Sequence, residues 1–139
     1  MKKISATLFF VFSILFLSSC SSFKSLEGNW ETVKLIKDGK ELPVIKSNMN
    51  FTGTKKEPVI KGHAGVNLYN CTIKLSGNSI KALSMENTGF RGVDENMAFE
   101  DLFFTVLMNA SSYQIKNDIL YFYAPSEKME IQLKRAEKK

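Results

Sequence analysis

Few residues in this chain of 139 are equipped for covalent or acid–base chemistry, with only two cysteines and one histidine among them. Cys20 follows an apolar run and two serines, and Cys71 lies between Tyr69 and Ile73 in an alternating stretch. A reactive thiol wants a nearby cation and partial exposure. Nothing around Cys71 supplies either, so it reads as a small buried hydrophobe. His63, beside Gly62 and Gly65, has the side chain of a general base. It has no Cys, Ser or Asp partner in a recognised arrangement, and reads as a loop histidine with a structural or surface role. A zinc site would need several carboxylates, and no ligand spacing for one is present. Gly28, Gly62 and Gly65 form no phosphate-binding loop of known type and read as sites of turns or close backbone approach. The acidic pairs are Asp94-Glu95 and Glu100-Asp101. The first suits a helix N-terminus, at about 0.3–1 kcal/mol per charge. Glu100 is expected to bond a loop backbone or Arg91. Trp30 and Tyr69 could line a ligand pocket, but large aromatics dominate any small core, and core packing is the reading taken. No catalytic residue, cofactor site or metal ligand is assigned, and the chain reads as non-enzymatic.

The chemistry that remains belongs to the N-terminus. Met1-Lys2-Lys3, the apolar run Ile4 to Leu17, and Ser18-Ser19 before Cys20 follow the order of a cleaved export signal. The run is short for a bilayer span of roughly 18–20 residues. Leu17-Ser18-Ser19-Cys20 resembles the bacterial lipobox. That resemblance implies diacylglyceryl attachment to the Cys20 sulfur, cleavage before it, and usually acylation of the new amine. Ser21 after the cysteine favours the outer membrane, on its periplasmic side, by the enterobacterial sorting rule. With Cys20 modified, only Cys71 remains and no internal disulfide is possible. The expected organisation is a signal peptide over 1–19, a lipidated tether over 20–25, one domain over 26–135 and a basic tail over 136–139. The formal charge of +5 includes Lys2 and Lys3, which the signal would remove. The other cations look scattered, apart from Lys55-Lys56 and the C-terminal run. With no basic stripe interleaved with aromatics, nucleic acid is not an expected partner.

The body must be built mostly from strands. Trp30 to Ile36 is rich in strand formers, and Asp38-Gly39 after it is a hairpin turn. Leu42 to Ile45 is read as a continuation, with Pro43 marking an edge or break. Asn48 to Thr52, a strand starting at Val59-Ile60, Val66 to Leu75 and Ile80 to Leu83 follow. In Val66 to Leu75 the residues Tyr69, Cys71, Ile73 and Leu75 mark the core face. Ser84 to Asp94 is read as a loop. Asp94 or Asn96 then caps a helix running to about Asn109, apolar over so much of its surface that a sheet or partner must cover it. A hairpin turning at Lys116-Asn117-Asp118 and a closing strand, Met129 to Lys134, complete seven to nine strands. Short strands in mostly local order suggest a closed or nearly closed antiparallel barrel with the helix over one mouth. Seven phenylalanines remain outside the signal, enough to fill a small barrel.

Six elements fall in a familiar order. They are Leu26-x-Gly28-x-Trp30, Gly62-x-x-Gly65-x-Asn67-x-Tyr69, Thr88, Glu100-x-x-Phe103-x-x-x-Leu107, Tyr113-x-Ile115 and the pair Leu120 and Phe122. Together they resemble the META/HslJ-like domain over nearly all of Leu26 to Arg135. The resemblance implies a small lipocalin-like β-barrel with one helix and an association with heat shock and envelope stress, but no agreed reaction. Gly28, Trp30, Gly62, Gly65, Asn67, Tyr69, Thr88, Glu100, Phe103 and Leu107 are the motif residues to which it assigns structural roles. The family often has cysteines where this chain has Val66 and Gly92. If those cysteines touch in relatives, their joint loss is coherent, and no redox role carries over. The expectation is an envelope-anchored binding module acting on another envelope component. The alternative is a carrier of a small apolar ligand in the barrel mouth.

Overall fold

The computed structural model describes residues 23–137; the signal, Cys20 and the last two lysines lie outside the described residues. The elements are a short helix α1 (Phe23–Leu26), then β1 (Gly28–Lys37), β2 (Lys40–Leu42), β3 (Asn48–Gly53), β4 (Pro58–His63), β5 (Leu68–Ser76), β6 (Ser79–Asn87), α2 (Asp94–Asn109), β7 (Ser112–Lys116), β8 (Ile119–Ala124) and β9 (Met129–Arg135). Every pairing is antiparallel, and β1 also pairs with β9. That last pairing closes β1 and β3–β9 into an eight-stranded barrel, with β2 as a short flap on β1. Closure removes the exposed edges that an open sheet would present.

Local chemistry explains the corners. Asp38 (φ 50°) and Gly39 (φ 78°) both lie in the left-handed region, as do Asn117 (φ 52°) and Asp118 (φ 63°). Two such residues in succession make the turn whose twist matches flanking strands. Two hydrophobic residues face solvent for a structural reason. In the β1–β9 ladder Thr32 pairs with Leu133 and Lys34 with Gln132, so Val33 is the extra residue of a bulge. In the β5–β6 ladder Thr72 pairs with Ser84 and Ile73 with Ala82, so Leu83 is extra. Each bulge switches the inward parity of its strand. That is how Trp30 and Leu35, five positions apart, both point inward and are fully buried.

The interior is filled by side chains. Trp30, Phe51, Tyr113, Phe122, Leu120 and Ile131 are among the largest fully buried groups. Phe51 meets Phe122 edge-to-face at 6.0 Å between ring centres. Helix α2 packs against β6, β8 and β9, burying Phe99, Phe103, Val106 and Leu107. Its Leu102 and Phe104 are half-buried against the core, whereas Met108 is exposed. The helix is needed there because β6 and β7 share a single residue pair, Ser79 with Ser112.

Several boundaries differ from the sequence expectation. Leu42 to Ile45 does not continue as a strand: β2 stops at Leu42, where Pro43 withholds an N–H from any ladder. β6 runs on to Asn87, through the first four residues of the expected loop. β5 alternates as expected: Tyr69, Cys71 and Ile73 are buried and Leu75 half-buried. The residue capping α2 is Val93, without a side-chain cap, so Asp94 lies inside the first turn rather than capping it. Helix α1 (Phe23–Leu26) takes in Phe23–Ser25, just ahead of the expected start of the domain.

Candidate functional site

Seven of the ten motif residues gather where the β4–β5 loop, the end of β6 and helix α2 meet. β4 and β5 are neighbours, so the loop between them stands over the first turns of α2. Gly62 is tightly approached by β3: a Cβ there would lie 2.3 Å from the Asn48 carbonyl oxygen. Gly65 has φ +109°, and a Cβ would lie 2.5 Å from Ile45 Cδ1 and 3.3 Å from Phe99. Only glycine satisfies both demands.

Asn67 is the centre of this corner and is buried. Its Nδ2 donates to Glu100 Oε2 at 2.7 Å and to the Phe90 carbonyl at 2.9 Å. Its Oδ1 accepts from Thr88 Oγ1 at 2.8 Å and from the Phe90 N–H at 2.6 Å. Glu100, only 2% exposed, accepts from the backbone N–H of Asn67 at 2.6 Å and of Val66 at 3.2 Å through Oε1. The loop backbone is thus its partner. Arg91 instead stands 4.0 Å from Asp94, with both side chains solvated. Thr88 Oγ1 also accepts from the Leu68 N–H. Tyr69 packs edge-on against Phe103 at 5.5 Å and donates its hydroxyl to the Asn48 carbonyl at 2.8 Å. Burial, with a smaller contribution from Cys71, raises the Tyr69 pKa well above the usual phenol range. Both polar ends of Asn67 and both carboxylate oxygens of Glu100 are spent on the fold. The corner therefore clamps helix to loop and offers no free acid, base or nucleophile.

The other motif residues lie elsewhere. Trp30 is buried at the start of β1, its Nε1 donating to the Leu26 carbonyl at 2.8 Å. Arg135 stacks 4.1 Å over its ring and donates to the Ser25 and Glu27 carbonyls, binding α1 to the barrel beside Gly28. Leu107 is buried in the core under α2. Cys71 is buried and its thiol pushed up to about 11 by burial, the opposite of a reactive cysteine. His63 is half-buried; its Nδ1 accepts from the Gly65 N–H at 3.3 Å and its own N–H donates to Asn48 Oδ1. Val66 and Gly92 face each other: a Cβ on Gly92 would lie 3.6 Å from the Val66 Cβ. That is the separation of a disulfide-bonded pair, which fits the cysteines that the family resemblance implies at these positions.

Sequence reasoning missed a polar cleft of about 750 Å³ lined by Asn29, Glu31, Thr32, Lys46, Ser47, Asn48 and His63. The Thr32 hydroxyl on its wall is buried without a partner among the described residues, beside the β1 bulge. No run of residue types flags it, because three separate segments form it. Among the described residues no group of three His, Cys, Asp or Glu side chains could hold a metal ion. A second surface feature is apolar. Leu68, Phe90 and Val93 are 59%, 68% and 65% exposed. Leu68 follows Asn67 in the chain and donates its N–H to Thr88 Oγ1, and the Asn67 side chain bonds both the carbonyl and the N–H of Phe90, which holds Leu68 and Phe90 at one corner.

Comparison with known proteins agrees with this architecture. A solved protein from Burkholderia xenovorans is similar at TM-score 0.69 and 12% identity, over 84% of this chain and 87% of that one. A DUF4847 family protein from Bacteroides vulgatus is similar at TM-score 0.57 and 14% identity, over 82% of this chain and 96% of that one. At such identities the likeness is one of fold. No curated protein matches the sequence. The META domain family profile matches residues 23–137, the whole span from α1 past β9. With the Asn67–Glu100 corner, the Trp30 anchor and the facing Val66 and Gly92 positions in place, this chain belongs to the META domain family.

Proposed function

We propose that the protein is a lipid-anchored envelope lipoprotein whose META domain is a non-enzymatic binding module, acting on another envelope component under stress. The observation that carries the reading is the filled barrel. Aromatic and aliphatic side chains occupy the space where a lipocalin-like carrier would hold its ligand. Recognition is then left to the outer surface, which favours a binding module over the carrier of small apolar ligands. The exposed corner of Leu68, Phe90 and Val93 is of the kind that soluble surfaces keep for partners. The anchor is supported by the order of residues from Met1 to Cys20. Several acyl chains together hold a protein far better than one, at about 0.8 kcal/mol per buried methylene.

The test is crosslinking in intact cells from a photoreactive residue placed at Phe90, with one at Val33 on the barrel wall as control. A discrete adduct from position 90 and none from position 33 is expected, and its loss with Cys20→Ala. Equal or absent crosslinking at the two positions would remove the partner reading. A Cys20→Ala protein that still fractionates with membranes would remove the anchor.

A further inference from the structure

Strand direction fixes which turns share an end of the barrel. β1 starts and β9 finishes at one end, because Trp30 pairs with Arg135 and Lys37 with Met129. Alternation around the antiparallel barrel adds the β3–β4, β5–β6 and β7–β8 turns to that end, beside α1. Lysines that look scattered along the chain are gathered there. Lys24 lies on α1, and Lys55 and Lys56 in the β3–β4 turn. Lys74 and Lys81 flank the β5–β6 turn, Lys116 enters the β7–β8 turn, and Lys134 and Arg135 end β9. All eight are exposed, against five carboxylates at the same end: Glu27, Glu31 (the cross-strand partner of Lys134), Glu57, Asp118 and Glu137. The opposite end is nearly balanced, with six cations (Lys37, Lys40, Lys46, Lys61, Arg91, Lys128) against seven carboxylates (Asp38, Glu41, Glu86, Asp94, Glu95, Glu127, Glu130). Lys74 and Lys81 are direct cross-strand partners, an arrangement unfavourable in isolation. Among the described residues neither forms an ion pair.

We propose that this end is a docking face for anionic phospholipid headgroups, which holds the barrel upright with its apolar corner and the β4–β5 loop turned away from the bilayer. The inference rests on the anchor at Cys20 and deepens it. Cys20 precedes α1 by three residues, a reach of at most about 11 Å, while the screening length at physiological salt is about 8 Å. A lipid on Cys20 therefore keeps α1, at the lysine-rich end, within roughly one and a half screening lengths of the surface charge. Without that bias a short tether would leave the barrel free to lie on any side.

The full-length lipidated protein is reconstituted into vesicles of phosphatidylcholine, alone or mixed with phosphatidylglycerol. Energy transfer to a headgroup-labelled lipid is then read from a dye on Thr54→Cys in the lysine-rich end or Ser126→Cys at the other. Severalfold greater transfer from position 54 than from 126 is expected with phosphatidylglycerol. The difference should shrink in phosphatidylcholine, in high salt, and in a Lys55→Glu, Lys56→Glu, Lys116→Glu variant shown by its thermal melt to be folded. Equal transfer from the two positions, or a difference indifferent to lipid charge, overturns the docking face. Flotation with uncharged vesicles reports the anchor by itself. If it fails while position 54 still leads on phosphatidylglycerol, the docking face stands and the anchor does not.

Discussion

Glu100 shows what a single residue does in this molecule. It is a buried carboxyl group with no ion-pair partner among the described residues, bonded by donors it has recruited from a loop thirty-odd positions away. Its place in a helix with apolar neighbours marks it as unusual in sequence, and a loop backbone was one of two partners foreseeable for it. Arg91 was the other, and it is too exposed to matter. Asn67 as the hub was visible only as a motif letter, because four of its bonds reach residues 21 to 33 positions away. Glu100→Ala strands three donors, two of them backbone. A loss of about 2–4 kcal/mol is expected, read as a lower urea midpoint at unchanged slope. Glu100→Gln keeps one acceptor but turns an amide toward Asn67 Nδ2, and should cost about half as much. A Glu100→Ala protein as stable as the parent would show that the clamp contributes nothing.

Elements were legible wherever local chemistry decides them. Asp38-Gly39 and Asn117-Asp118 announce their turns, and Tyr69, Cys71 and Ile73 announce their inward face. The bulges at Val33 and Leu83 were not legible, since an exposed valine or leucine in a strand carries no mark of the residue it skips. Nor was the cap of α2, where a valine stands and neighbouring acids suggested otherwise. The approach of the β4–β5 loop to the segment before α2 gives a sharper test. Val66→Cys with Gly92→Cys should oxidise to an unstrained bridge, given the 3.6 Å separation of their Cβ positions. Chain-entropy arguments for a loop of this size give about 3–4 kcal/mol, seen as a melting temperature that falls on adding reductant. Failure to form the bond under air would mean that the two segments are farther apart in solution.

For the whole molecule, burial is what couples stability to alkaline pH. The Cys71 thiol is raised from 9.0 to about 11, and the Tyr69 phenol is raised too. Each stays protonated in the folded state while the unfolded chain has begun to ionise, so the unfolded state binds fewer protons and stability falls as pH rises. The Cys71 contribution is complete below pH 9 and lost as pH climbs through about 11; that of Tyr69 begins to fall near 10. Urea midpoints across this range should decline from pH 9 in the parent and only from about 10 in Cys71→Ala, whose lower starting stability is measured separately at pH 7. A parent curve flat to pH 11 would refute the burial of these groups. The distribution of charge belongs to this scale as well. A linear reading sees lysines sprinkled along the chain, and only alternation of turns around a closed barrel sorts them to one pole.

The seam between β1 and β9 also has a consequence for how the chain is born. It joins Trp30 to Arg135, a contact across nearly the entire domain, and β9 comes last in chain order among the described elements. No nascent fragment short of β9 can seal the cylinder; each retains two open rims and an unfinished interior. The cylinder therefore stays unsealed until β9 has emerged and found β1.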